Sequence, residues 1–333
     1  MVLDLLVRHP CGSAPHRESP LLRHLPERGS QDLGRPVSET ARGHLAMLAF
    51  SVLVAGSFSL GTMVANEIAP AAINWARFAI AALVIGAAAL ATTGLPRSAA
   101  AAPWRYLVLG GLFAIYFVLM FEGLKTAPAV SASAVFTLTP ILSGVAGYVL
   151  LRQITTPWMA LALAVGAAGA LWVIFRADLA ALARFEIGRG EFIYFWGCVA
   201  HAIYTPMVRK LNRGEPPVVF TFGMLLAGLC VLTVWGWSDI RATDWLGLRP
   251  LVWIVLLYVA LCASALTFVL LQYATLRLPS AKVMAYTYLT PSWVILWELM
   301  LGNGLPPVLT IGGVGLTVVA LLMLIREGPP ARA

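Results

Sequence analysis

Long apolar runs separated by short polar stretches occupy the chain from about residue 45 to residue 325. A helix that crosses a bilayer needs roughly 20 apolar residues, because the hydrocarbon layer is about 30 Å thick and a helix rises about 1.5 Å per residue. By this measure the pattern predicts about ten transmembrane segments. Their predicted bounds are 45–66, 71–93, 104–122, 128–151, 157–175, 190–208, 217–237, 250–273, 279–301 and 306–325.

The apolar runs are continuous and rich in Leu and Ala. Alternating apolar and polar positions would be typical of a membrane barrel, whereas continuous runs favour helices, which satisfy their own backbone polar groups in the bilayer. The composition agrees, since 11% of the residues are charged against about 25% in soluble domains. The sequence therefore predicts an all-α integral membrane protein.

A short pattern recurs at an offset of 151 residues. Leu138-Thr139-Pro140 returns as Leu289-Thr290-Pro291, and the FVL sequence at 117–119 returns at 268–270. Five predicted spans separate equivalent positions, and an odd number of crossings reverses the direction of the chain. We therefore expect two inverted five-helix repeats, an arrangement typical of secondary transporters, whose halves move around a site near the bilayer midplane.

Three regions follow from this division: a tail at 1–44, a first repeat at 45–175 and a second repeat at 190–326, with a polar linker at 176–189. The tail is rich in Pro, Arg, Ser and His without sustained periodicity, which predicts disorder. It lacks the order of a basic and then an apolar region that marks a signal peptide. An alternative is that translation begins at Met47, just inside the first span.

The net charge of +8 lies mostly on predicted loops and tails. If the N-terminus is inside, the cytoplasmic loops and tails hold roughly twice as many basic residues as the opposite side, although Arg176, Arg184 and Arg189 lie on the wrong side. This distribution predicts a multi-pass protein of the cell inner membrane with both termini cytoplasmic. We expect the bilayer to be its surroundings and expect no nucleic-acid partner.

Several features together resemble the drug/metabolite transporter superfamily, specifically the EamA-type carriers. They are the ten-span layout, Arg77 early in the second span, the segment GLKTAPAVSA at 123–132, the repeated Leu-Thr-Pro, and glycines in the fifth and tenth spans. The resemblance implies transport of small metabolites, amino acids or drugs, with spans one to four and six to nine around a central cavity. Such repeats usually have a Glu just after the fourth helix of each half, where this chain has Arg152-Gln153 and Gly302-Asn303.

Ionisable side chains within spans are costly in hydrocarbon, so each is a candidate for function or for pairing. Four of them lie toward the predicted external side: Glu67, Arg77, Glu122 and Glu298. Arg77 is expected to face Glu67 or Glu122, as an external gate or anion contact, or as a fixed pair that orients two helices. Glu298 has the alternative of reaching the interface.

Polar and mostly uncharged side chains lie near the middle of the spans. They are Ser57, Ser59, Tyr116, Thr137, Thr139, His201, Tyr204, Tyr286 and Thr290. His201 is the one among them that normally titrates near neutrality, so it could exchange a proton during transport. The alternative is a neutral histidine that is hydrogen-bonded to a backbone carbonyl or a tyrosine. The Ser and Thr hydroxyls could likewise bond to their own helices.

The ninth span has a polar and aromatic stripe at helical spacing: Lys282, Tyr286, Thr290, Trp293 and Trp297. Such a stripe suits the wall of a cavity for an amphipathic solute; the alternative places the tryptophans against lipid and Lys282 at the cytoplasmic surface. Pro140 and Pro291 should kink their helices and free the carbonyls of Phe136 and Thr287, as hinges, as binding backbone or as static curvature.

The sequence as a whole predicts a secondary transporter, and we expect export of small metabolites or amino acids by alternating access. The predicted substrate-binding residues are Tyr116, Thr139, His201, Tyr204, Tyr286, Thr290 and Arg77. Glu67, Glu122, His201 and Lys282 are the predicted gating or coupling residues, and Pro140 and Pro291 the hinges. We expect no metal or other cofactor. We expect that transport is coupled to protons and that the protein is a monomer or homodimer. A membrane sensor or assembly subunit is the main alternative; an intramembrane enzyme is the third, although phosphate-loop, HExxH and CxxC motifs are absent.

Overall fold

The computed structural model describes residues 39–184 and 186–326, which are helical with short connections and contain no strand. Ten long helical segments lie within these residues. They are α1 (Glu39–Val64), α2 (Pro70–Thr92), α3 (Trp104–Leu124), α4 (Ala129–Leu151), α5 (Pro157–Ile174), α6 (Arg189–Leu211), α7 (Pro217–Trp235), α8 (Pro250–Thr275), α9 (residues 280–300) and α10 (Val308–Arg326). Short helices at Arg97–Ala100, Leu179–Ala183 and Trp237–Ala242 lie in the connections.

Eight of these segments, all except α6 and α9, are long and apolar enough to cross a membrane within the described residues. α6 is more polar, with charged residues in its first and last turns. α9 is interrupted, because a 3-10 turn at Tyr286–Leu289 separates Ser280–Ala285 from Thr290–Met300. The predicted bounds agree with the observed helices to within a few residues at most ends, while crossing of the membrane by α6 and α9 stays a prediction.

The helix ends follow from the sequence. Proline occupies the first position of α2, α5, α7 and α8. Its fixed φ suits a helix start, where its missing N–H is not needed. The hydroxyl of Thr156 also accepts a hydrogen bond from the backbone N–H of Met159 and caps α5. The short Pro-containing loops therefore set where most chain reversals occur.

The start of α1 differs from the prediction. Residues 1–38 of the predicted disordered tail lie outside the described residues, but 39–44 are helical. Glu39 forms ion pairs with Arg42 and with Arg277, and it accepts a weaker hydrogen bond from Tyr273. These contacts with the end of α8 hold a polar segment in a helix that the apolar pattern alone does not predict.

Contacts between the helices have the arrangement expected of two related halves. α3 packs against α6 as α8 packs against α1, and α4 packs against α6 as α9 packs against α1. The pairs α2 with α7, α4 with α9 and α5 with α10 map onto themselves when the halves are exchanged. The repeat at an offset of 151 residues is therefore matched by the packing.

α5 and α10 lie at the periphery, in contact with each other and with the fourth helix of their own half. Their backbones approach closely at glycines, because a Cβ on Gly169 would lie 2.6 Å from the carbonyl oxygen of Gly313. These two glycines pack within one chain. Large apolar side chains on other helices, such as Leu83, Val234 and Ile254, are more than half exposed and suit contact with lipid.

Candidate functional site

Phenylalanines at equivalent positions of the two repeats meet at the centre of the bundle. The rings of Phe117 in α3 and Phe268 in α8 are stacked, with centroids 5.6 Å apart. Both side chains are buried. Since the FVL pattern relates these residues at an offset of 151, their contact marks the point where the two halves meet.

Further aromatic side chains surround this pair. We call the whole set the central cluster, and its members are Phe113, Tyr116, Phe117, Phe136, His201, Tyr204 and Phe268. Phe113 contacts Phe268 with ring centroids 4.5 Å apart and Tyr204 with centroids 4.0 Å apart. The structure therefore brings together Tyr116, His201 and Tyr204, three of the predicted substrate-binding residues.

The imidazole of His201 is packed among aromatic rings and forms no hydrogen bond with the described residues. Its side chain is 1% exposed, stacks on Phe136 with the ring planes 3° apart, and lies 4.5 Å from the ring of Tyr116. Neither ring nitrogen has a partner among the described residues. The structural alternative of a histidine hydrogen-bonded to a carbonyl or a tyrosine is therefore not what is observed.

Two buried polar side chains that the sequence analysis did not select complete the surroundings of the cluster. The hydroxyl oxygens of Tyr194 and Tyr116 are 3.1 Å apart, and Gln272 donates a hydrogen bond of 3.3 Å to the hydroxyl of Tyr204. Helical spacing was the available signal. Tyr194 precedes His201 by seven residues in α6, and Gln272 follows Phe268 by four in α8.

Arg77 is buried beside the central cluster and does not form the predicted pair with Glu67 or Glu122. Its guanidinium lies over the ring of Phe117, 3.6 Å from the centroid. Nη2 donates to the carbonyl of Ala263 at 2.7 Å, and Nε donates to the hydroxyl of Ser264. Nη1 has no partner among the described residues.

The two predicted acidic partners of Arg77 have other cations. Glu67, in the loop before α2, pairs with Arg249, which lowers the pKa of the Glu67 carboxyl below its ordinary value. Glu122 pairs with Lys125 on its own helix at 2.7 Å. The prediction was wrong because Arg77 points into the bundle, whereas both carboxylates remain partly exposed near the end of the bundle.

The two Leu-Thr-Pro segments lie at matched breaks in α4 and α9, and the breaks are adjacent. The hydroxyl oxygens of Thr139 and Thr287 are 3.2 Å apart. The two carbonyls that Pro140 and Pro291 were expected to free are already used. The carbonyl of Phe136 accepts from the Thr139 hydroxyl at 2.7 Å, and the carbonyl of Thr287 accepts from the backbone N–H of Thr290.

The stripe on α9 packs against α1 and α8. Tyr286 lies 2.9 Å from Nδ1 of His44, and Trp293 donates to the hydroxyl of Ser51 at 3.3 Å. The rings of Trp297 and Tyr258 have centroids 5.8 Å apart. The buried hydroxyl of Thr290 has no partner within the described part of the chain. These tryptophans are thus partly buried against protein and are not simply lipid-facing.

Comparison with known proteins decides the family. A model of the EamA-like transporter family matches residues 41–175 and 188–326. The chain belongs to the EamA-like transporter family. It is 23% identical over 288 residues to a relative described as "Uncharacterized transporter YyaM" from Bacillus subtilis (strain 168), a match that covers 86% of this chain and 93% of that protein.

The fold of this EamA-like transporter is also found in a solved structure titled "Crystal structure of protein". The two chains superpose with a TM-score of 0.65 at 20% identity, over 86% of this chain and 96% of the other. At this identity the likeness supports the fold alone. Together with the eight apolar helices, family membership makes the protein a multi-pass membrane transporter.

The position after α4 at which the resemblance led us to expect a Glu lies beside a cavity with two basic side chains in its wall. Gln153 follows α4, and its side-chain oxygen accepts a hydrogen bond from the backbone N–H of Ser280 at the start of α9. A cavity of about 210 Å³ lies at the end of the bundle where α4 and α6 end and α9 begins. Gln153, Arg209 and Lys282 are among the residues that line it. Lys282 is 7% exposed, so its side chain is mostly covered by protein where it lines this cavity.

A buried ion pair that the sequence analysis did not predict lies at the same end of the bundle. Arg105 donates to Glu215 at 2.7 Å and also to the carbonyls of Leu211 and Ala101. Burial opposes ionisation of the Glu215 carboxyl, but the hydrogen bonds from Arg105 and from the backbone N–H of Arg213 outweigh it and hold its pKa below the ordinary value.

We expect Glu215→Gln to lower the free energy of unfolding by about 3–5 kcal/mol, because it leaves the Arg105 charge buried and unpaired. The double variant Arg105→Gln with Glu215→Gln should recover part of this loss. Because the folded pKa of Glu215 is depressed, the stabilisation is present above the ordinary carboxyl pKa and is lost as the pH falls through the folded value. Unfolding of the purified protein in detergent, followed against pH, measures both effects. Equal stability of the two variants would contradict the predicted recovery, and the same pH dependence in the wild type and in Glu215→Gln would contradict the contribution of the Glu215 carboxyl.

Proposed function

We propose that the protein is a secondary transporter that exports small metabolites or amino acids across the cytoplasmic membrane by alternating access. The observation that supports this proposal is a set of polar atoms around the central cluster that have no hydrogen-bond partner within residues 39–184 and 186–326. They are both ring nitrogens of His201, Nη1 of Arg77 and Oε1 of Gln272. They belong to α6, α2 and α8, so both halves of the chain contribute to the set.

Unpartnered polar atoms in a protein interior need an explanation, since each costs about 1–3 kcal/mol. A solute that enters the centre when the halves separate would supply the missing hydrogen bonds. The aromatic side chains would contact its apolar part. Binding of a solute would therefore explain why these buried polar atoms have no hydrogen-bond partner among the described residues.

Roles can be assigned on this basis. Tyr116, His201 and Tyr204 form the wall of the site, and Arg77 is its polar anchor. Thr139 and Thr290 contribute hydroxyls at the breaks of α4 and α9, and Tyr286 contributes a further one beside His44. Pro140 and Pro291 are the proposed hinges, since the breaks that they accompany are adjacent between the two halves.

Coupling and gating belong to a second group of residues. His201 and Glu122 are the proposed proton carriers, with the solute's own gradient as the alternative driving force. Glu67, which pairs with Arg249, is the proposed gating residue at one end of the bundle. Lys282, which lines the cavity at the other end, is the proposed gating residue there. The solute and protons are the proposed partners, in a monomer or homodimer.

The distribution of charge supports an orientation. The end of the bundle at which α1 begins has many basic residues: Arg42, Arg97, Arg105, Arg152, Arg209, Lys210, Arg213, Arg277 and Arg326. Fewer basic residues lie toward the other end among those described: Lys125, Arg176, Arg184, Arg189, Arg241 and Arg249. Positive loops favour the inside, so we place the first end and both termini in the cytoplasm of a bacterial-type cell.

Metabolite profiling of medium and cytoplasm tests the proposal. Cells expressing the wild type should accumulate in the medium a solute that an empty control retains, and Tyr286→Ala should reduce that export. Tyr148→Ala is the matched control, because Tyr148 is 51% exposed on α4. Identical profiles of wild type and empty control, with protein present in the membrane, would contradict export.

Two other functions predict different results. If the protein is a sensor or assembly subunit on the same fold, its expression should leave the distribution of metabolites unchanged. Substitutions in the α9 stripe should then have no effect on that distribution either. An intramembrane enzyme would form a product in purified vesicles without net movement of a solute. The family and the central polar atoms favour transport over both.

A further inference from the structure

Two arginines among the described residues are fully buried, and they are held in different ways. Arg105 is 1% exposed, has Glu215 as a counter-ion, and donates from all three side-chain nitrogens. Arg77 is 0% exposed, has neutral partners, and has one nitrogen without a partner among the residues that the structure describes. No carboxylate forms an ion pair with Arg77 in the part of the chain that the structure describes. Arg105 therefore belongs to a structural ion pair, whereas Arg77 is held by neutral groups.

The helix opposite Arg77 is distorted where it holds the guanidinium. α8 contains a π-helical segment at Leu261–Leu266, and the two groups that accept from Arg77 belong to Ala263 and Ser264 within it. Such segments occur often at functional sites. These contacts fix the plane of the guanidinium over Phe117 and leave Nη1 as the free donor.

An uncompensated charge in a dry interior is expensive, and the ring of Phe117 offsets only part of that cost. An anionic group that reached Nη1 would regain both the missing hydrogen bond and the missing charge. The rings of Phe113 and Phe268 stack with the Phe117 ring that lies under the guanidinium, and they offer a surface for an apolar body. The guanidinium carries one positive charge, so a ligand with one negative charge neutralises it.

We propose that Arg77 binds a carboxylate of the transported solute, and that this solute is an organic acid with an apolar body held against the central cluster. The proposal rests on the function proposed above and narrows its substrate class. It predicts selectivity among solutes of the same shape according to charge. Removing the guanidinium should abolish that selectivity.

Benzoate, benzamide and benzylamine test this prediction, since they present one aromatic ring with a negative, neutral or positive group. Stabilisation of the purified protein against heat is measured with each compound at equal millimolar concentrations. We expect benzoate to stabilise most. Arg77→Gln should weaken benzoate binding roughly ten- to a hundredfold, as loss of a charge-assisted hydrogen bond does. Arg77→Lys should retain part of the preference.

The double variant Arg105→Gln with Glu215→Gln is the matched control, because it removes a buried arginine together with its counter-ion. It should keep the benzoate preference even if its stability changes. An equal response of the wild type to all three compounds, no response to benzoate, or a preference that survives in Arg77→Gln would overturn the proposal. So would stabilisation by inorganic phosphate in place of benzoate.

Failure of this proposal is distinguishable from failure of the transport function. An exported solute that is neutral or cationic would leave export standing and remove the assignment of Arg77. Arginine-dependent benzoate binding without movement of any solute would leave the site standing and remove the transport function.

Discussion

His201→Phe should make the protein more stable and transport much slower. Phenylalanine keeps an aromatic ring between Phe136 and Tyr116 but removes two buried nitrogens that have no partner among the described residues. Loss of such groups stabilises a folded protein by about 1–3 kcal/mol. If those nitrogens contact the solute, solute flux should fall roughly tenfold or more, the factor that 1.4 kcal/mol of lost binding gives.

The measurements are the midpoint of thermal unfolding in detergent and the export of the solute identified by profiling. Ser133→Ala is the control. It removes a buried hydroxyl that is already bonded to the carbonyl of Val130, so flux should be unchanged. Unchanged flux in His201→Phe would make the histidine a packing residue. A lower unfolding midpoint would contradict the account of its surroundings.

Gly110→Val should prevent accumulation of a well-folded protein. α3 and α7 approach so closely that a Cβ on Gly110 would lie 2.7 Å from the carbonyl oxygen of Met224 and 2.9 Å from Cα of Gly228. These are backbone atoms, which cannot move aside as a side chain can. We expect a loss of stability at the upper end of the about 1–3 kcal/mol that overpacking costs, or more.

Gly111→Val provides the comparison for this effect. A Cβ at Gly111 meets no atom within 4 Å, so valine there should be tolerated. The yield of monodisperse protein after extraction, and its unfolding midpoint, compare the two variants. Equal behaviour of the two would show that the backbones of α3 and α7 are farther apart than described.

The apolar pattern was sufficient to predict the approximate positions of the helices, because the thickness of the bilayer sets the length of each segment and prolines set where several helices begin. It was insufficient at residues 39–44, where contacts of Glu39 with Arg42 and Arg277 stabilise a polar helical turn. The polar composition of a segment does not reveal partners that lie more than 200 residues away. The repeat carried more information, since the matched residues Phe117 and Phe268 do contact each other.

Prediction of the site was less complete. Sequence position placed Arg77, Glu67 and Glu122 toward one end of the bundle, but pairing depends on the direction of each side chain. Arg249, the partner of Glu67, comes from a loop of the other half. Tyr194 and Gln272 were not selected because each is an ordinary polar residue until its neighbours are known. His201, predicted near the middle of its span, is buried in the structure, while its role in binding and coupling stays a prediction.

Accessibility of position 201 from the two sides of the membrane tests the central claim, that a solute passes through the central cluster by alternating access. The experiment uses His201→Cys in a chain whose four native cysteines are replaced by serine, and membrane-impermeant thiol reagents applied to right-side-out and inside-out vesicles. The account predicts labelling from both sides, slowed by the exported solute. Labelling from neither side, or from one side without protection by the solute, would contradict it.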